Sequence, residues 1–153
     1  EYEQGEYIPL TVEQAVDRAK DIMQLFNNAK IEVIRIGLQN TEEITDPSEE
    51  SSQVIAGPYH PAFRQLVESG MWYDEIVQKI KKFNIKVMQV TIKANPENIN
   101  NIIGHKKENV LKLKEFYDVD VVVKPDENIK KGKFEIEIDK TNEDILEELK
   151  AKK

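Results

Sequence analysis

Residues 86–93 run Lys86-Val87-Met88-Gln89-Val90-Thr91-Ile92-Lys93, and residues 133–138 run Lys133-Phe134-Glu135-Ile136-Glu137-Ile138. Alternation of this kind puts apolar side chains on one face of a strand and polar ones on the other. A chain with two such segments builds a sheet with one wet face and covers the other with helices. The helices follow in the sequence. Pro96 to Ile103 reads as a short helix with proline near its first turn. Gly104-His105-Lys106-Lys107 interrupts it, and Glu108 to Tyr117 forms a second helix with Val110, Leu111, Leu113 and Phe116 at its apolar positions. Val119 to Val123 is a third strand, Lys124 to Gly132 a polar loop, and Asn142 to Ala151 a closing helix. The order is β-α-α-β-β-α over residues 85–152, an α+β arrangement of a size that can stand alone but only marginally.

The preceding residues, 1–83, follow another pattern. Thr11 and Gln14 have the spacing of a capping box. Val12, Ala15, Val16, Ala19, Ile22, Met23 and Phe26 then recur at helical intervals up to Asn27-Asn28. Ile31 to Leu38 is rich in β-branched residues and reads as a strand. Helix, turn and strand make up the unit of an α/β barrel or doubly wound sheet, and one unit cannot close a sheet. Residues 40–53 are polar and acidic, an exposed loop. Gly57, Pro58 and Pro61 enforce turns. Ala62 to Ser69 and Trp72 to Phe83 read as two helices broken at Gly70. The whole is an α/β chain in two parts.

Charge divides along the same line. Residues 1–75 hold 15 acids and 5 bases, whereas residues 76–153 hold 14 acids and 17 bases, so only the second half tolerates a polyanion. Residues 85–153 are balanced, with 14 of each sign, so any basic patch there is local. The chain has no cysteine, which excludes disulfides, thiolate zinc and an iron–sulfur cluster held by these residues. Cysteine absence also suits a reducing, cytoplasmic location. No apolar run approaches the roughly 20 residues of a membrane helix, and no membrane partner is expected. Nucleotide, P-loop, zincin and serine-hydrolase spacings are missing. Asp17, Asp21, Glu42 and Glu43 are read as solvated carboxylates rather than a catalytic pair.

The β-α-α-β-β-α order, with Ile102-Ile103-Gly104-His105-Lys106-Lys107-Glu108-Asn109-Val110 between its first two helices, resembles the type I KH domain. Ile102, Ile103, Gly104, Lys106 and Val110 match that family's pattern, and Lys107 departs from it where the family has a second glycine. The resemblance implies a single-stranded nucleic-acid site. Gly104, His105, Lys106 and Lys107 would meet the sugar–phosphate backbone, Lys112 and Lys114 would extend the positive surface, and Ile99, Ile103, Val110 and residues 119–123 would wall a groove for bases.

Three stretches of the first half are similar to the end of the catalytic region of elongator-type radical S-adenosylmethionine proteins, in the bacterial form without an acetyltransferase domain. They are Tyr7 to Ala15, Ile31 to Gln39 and Ala56 to Arg64. The resemblance implies a C-terminal portion of a longer enzyme whose [4Fe-4S] cluster and S-adenosylmethionine belong to an upstream barrel, with no cofactor and no catalytic residue in this chain. Arg35, Gly37 and Gln39, at a strand's C-terminal end, would line the cofactor or substrate space of the parent. His60, between prolines, reads as a structural histidine, and Trp72 and Tyr73 as core or interface residues. The function so implied is non-catalytic: a KH-like module presenting RNA, with tRNA the expected class, to the upstream barrel. The alternative is a KH-shaped docking module without RNA binding. Helix and strand faces left open by a missing barrel would favour homo-oligomers.

Overall fold

A computed structural model describes residues 2–39, 41, 43–83 and 85–151; Asn40 and Glu42 of the expected acidic loop lie outside these. The chain divides into two compact units, Glu1–Gly70 and Met71–Lys153. The boundary falls inside a helix, so the second half of that helix belongs with the sheet.

In the first unit, α1 (Val12–Asn28) starts as its sequence dictates. Thr11 Oγ1 accepts from the Gln14 amide at 3.2 Å, and Gln14 Oε1 accepts from the Thr11 amide at 3.0 Å. None of the α1 residues is buried, and Ile22 and Leu25 stand exposed. Residues 31–38 do not form the expected strand. A strand exists only by pairing, and among the described residues nothing supplies a ladder partner to this segment. Ile34 is 86% exposed. Its carbonyl and that of Val33 instead accept from the Arg64 guanidinium, both at 3.2 Å. Arg64 is held in turn by Glu68 at 2.8 Å.

The expected break at Gly70 is also absent: α2 runs unbroken over Phe63–Lys81. An interior glycine costs a helix only about 1 kcal/mol. Buried Val67 before it and buried Ile76, Val77 and Ile80 after it outweigh that cost. A methyl at Gly70 would stand 2.8 Å from Lys20 Cδ, so the small residue admits a side chain rather than a bend.

The second unit is a three-stranded mixed sheet in the order β2-β1-β3, making the chain α/β as expected. Its elements are β1 (Val87–Ala94), a tight turn at Pro96–Asn98, α3 (Ile99–Ile103), a turn at His105–Lys107, α4 (Glu108–Tyr117), β2 (Asp120–Pro125), β3 (Phe134–Thr141) and α5 (Asn142–Ala151). β1 pairs with β2 in parallel and with β3 antiparallel. Val90, Ile92 and Ala94 sit opposite Ile138, Ile136 and Phe134 on one side and opposite Val121, Val123 and Pro125 on the other. That face meets Ile76, Val77 and Ile80 of α2, Ile102 of α3 and Leu113 of α4 in one apolar cluster. Trp72 packs edge-on against Phe134, with ring centroids 5.6 Å apart.

Strict alternation cannot bury both Val87 and Val90, which are three residues apart, yet both are buried. The β1–β3 register shifts on either side of Gln89, where Met88 is extra on β1 and Asp139 is extra on β3. The two irregularities compensate. Asp139 accepts from Thr91 Oγ1 at 2.8 Å. The loop before β3 is clamped by side-chain amides: Asn95 donates to the Ile129 carbonyl at 3.0 Å, and buried Asn98 accepts from the Gly132 amide at 2.9 Å.

Candidate functional site

The turn between α3 and α4 is built from backbone conformations that most residues avoid. Gly104 lies at φ 82° and ψ 166°, a region open essentially to glycine alone. Lys106, at φ 50° and ψ 31°, and Lys107, at φ 65° and ψ 22°, are both left-handed. Such conformations cost an L-residue roughly 1–2 kcal/mol each. Lys107 therefore stands where a glycine would be free of strain. Lys107→Gly is expected to raise stability by about 1 kcal/mol, or roughly 4–8 °C in melting temperature, read by thermal denaturation.

Asn109 holds the turn from behind. It is 4% exposed, and its Nδ2 donates to the carbonyls of Asn101 at 3.2 Å and Ile102 at 3.1 Å. Both carbonyls lie in the last turn of α3, where a helix leaves carbonyls to be satisfied by other groups. The backbone of Asn109 also comes within 3.0 Å of the place a Gly104 Cβ would occupy.

The cations of the turn differ in their commitments. His105, Lys106 and Lys107 are exposed, and among the described residues neither Lys106 nor Lys107 forms an ion pair. Lys112 pairs with Glu108 on the same helix and lies 6.0 Å from the Tyr73 ring centroid. Lys114 binds both Asp118 and Asp120 at 3.1 Å. Hydrogen bonds donated by Lys114 to these two carboxylates, Asp120 first, raise its pKa above the ordinary value, and Lys114 lowers that of Asp118. Of these four lysines, Lys106 and Lys107 are the two that form no ion pair among the described residues. Ile103 and Val110 are half-buried on either side of the turn, and α3 and α4 pack beside β2, the edge strand carrying half-buried Val121 and Val123.

The residues singled out in the first half separate. Gly37, at φ 80°, helps line a cavity of about 280 Å³ with Leu38, Gly57, Pro58, His60 and Phe63. Arg35 and Gln39 are exposed and do not line it. His60 Nδ1 accepts from the Ala62 amide at 3.1 Å just ahead of α2, a structural bond. With no cysteine in the chain, these residues do not fit an iron–sulfur cluster.

Two functional-looking residues escape sequence reasoning. Asn109 lies one helical turn before Leu113 on the buried face, and a polar residue at an apolar position was the available signal. Arg64 gives no such signal, because its role depends on a segment 30 residues away in sequence.

No curated protein and no solved structure matches the chain. One protein family does: the sequence model described as the Radical_SAM C-terminal domain matches residues 1–73, so the first half of the chain is similar to the C-terminal region of radical SAM proteins.

Proposed function

We propose that the chain is the C-terminal part of an elongator-type, bacterial and cytoplasmic radical SAM enzyme, and that its second half is a KH-like module that grips single-stranded RNA. The [4Fe-4S] cluster and S-adenosylmethionine belong to the upstream catalytic barrel, and this chain performs no catalytic step. The observation that carries the reading is the turn itself: two exposed lysines in left-handed conformations, without ion pairs among the described residues, beside a buried asparagine that closes the end of α3. A rigid cationic bend suits a sugar–phosphate chain, whose charge dominates nucleic-acid affinity. Bases would lie in the groove of Ile99, Ile103, Val110 and residues 119–123, and tRNA is the class such an enzyme would receive. The uncovered faces of α1 and residues 31–38 accord with a barrel packed against them in a longer polypeptide. Self-association through those faces is a further expectation.

Lys106→Asp combined with Lys107→Asp tests the reading. RNA affinity is expected to fall on the order of tenfold at low salt, and the slope of log affinity against log salt to flatten by about one unit for each phosphate that is no longer neutralised. Fluorescence anisotropy with labelled single-stranded RNA and with tRNA measures both. Unchanged affinity and slope would reject the turn as the RNA-binding element and leave the docking alternative.

A further inference from the structure

β2 is an edge strand with a self-complementary sequence. It runs Asp120-Val121-Val122-Val123-Lys124-Pro125 and pairs with β1 on one side only. Asp120, Val122 and Lys124 share the face turned away from the helices, because Val121 and Val123 are opposite Val90 and Ile92 of the core. Val122 is 40% exposed. Lysine and proline on an edge usually discourage pairing with another chain. Here the lysine has a matching acid two residues beyond the central valine, in the opposite direction.

The geometry points to a dimer in which two copies of β2 pair antiparallel about a two-fold axis at Val122. Val122 then faces Val122, Val121 faces Val123, and Asp120 of each copy faces Lys124 of the other. The outcome is an isologous interface and a continuous sheet of three strands from each copy. Only this register brings the carboxylate and the ammonium opposite one another. The other edge does not suit such pairing: an antiparallel β3 pair centred on Glu137 sets Glu137 against Glu137 and Glu135 against Asp139. Asp120 is already bonded to Lys114, but its side chain is 63% exposed and can accept a second cation.

The interface leaves Lys106 and Lys107 free but takes up β2, which walls the proposed base groove, so pairing and groove-bound RNA exclude one another; charge reversal at Asp120 and Lys124, read without RNA, tests the association by itself. Sedimentation equilibrium of the full chain over a concentration series reads the association. Asp120→Lys alone sets lysine against lysine twice, and Lys124→Asp alone sets acid against acid twice. Each variant loses two cross-strand attractions and gains two repulsions, so it is expected to weaken self-association about tenfold. An equimolar mixture of the two variants restores both attractive pairs, so it is expected to associate as tightly as the unaltered chain. A chain that stays monomeric at millimolar concentration overturns the proposal. So do single variants that associate as well as the unaltered chain, or a mixture that associates no better than its components.

Discussion

Gly104→Ala is expected to destabilise the sheet-bearing half of the protein by about 3 kcal/mol, near the top of the range for a strained backbone conformation. Two effects act together. The φ of 82° with ψ of 166° is closed to any residue with a Cβ, and the added methyl would lie 2.9 Å from Asn109 Cγ and 3.0 Å from the Asn109 amide nitrogen. The second neighbour is backbone and cannot rotate away. To make room, the turn must open and release the Asn109 bonds that close the end of α3. A fall of roughly 12–24 °C in melting temperature is the corresponding readout for a domain of this size. A shift under about 2 °C would mean that the turn is far softer than its dihedrals imply.

Asn109→Asp is expected to cost about 4 kcal/mol at pH 7. The amide donates to two carbonyl oxygens in a site that is 4% exposed. A carboxylate of the same shape has no donor and turns two attractions into repulsions. Burial beside carbonyl oxygens raises its folded-state pKa above the unfolded value of about 3.9. A raised carboxyl pKa favours the folded state at low pH. The destabilisation is therefore full above the folded pKa and is relieved as pH falls toward the unfolded value, where the protonated acid regains one donor. Denaturant melts of variant and parent at pH 7 and pH 4.5 should show the gap narrowing at the lower pH. A constant gap would place the side chain in solvent rather than against those carbonyls.

The second half of the sequence is legible because its elements are specified locally. Glu108 to Tyr117 and Asn142 to Ala151 form the helices their periodicity and flanking turns predict. β3 reaches Thr141, beyond the expected Ile138, because pairing with β1 extends it past the alternating segment. The first half is less legible because its two errors concern partners rather than propensities. Residues 31–38 have the composition of a strand but, among the described residues, no ladder partner to make one. Gly70 looks like a helix end, yet the flanking apolar positions keep a single helix in phase. The site divides in the same way. Gly104 and the two lysines are visible in the sequence, whereas the ion pairs that occupy Lys112 and Lys114 depend on which carboxylates the fold brings near. Asn109 is visible only once the buried side of α4 is known.

The compensating irregularities in β1 and β3 limit how the length of this protein can change over evolution. Loss of Met88 by itself would leave the opposing strand one residue too long, and loss of Asp139 by itself would leave it one too short. Removal of both would restore plain alternation through Val87, Gln89 and Val90 with every inward side chain still inward. Insertions and deletions at these two places should thus be inherited together, as a matched pair separated by some fifty positions of sequence.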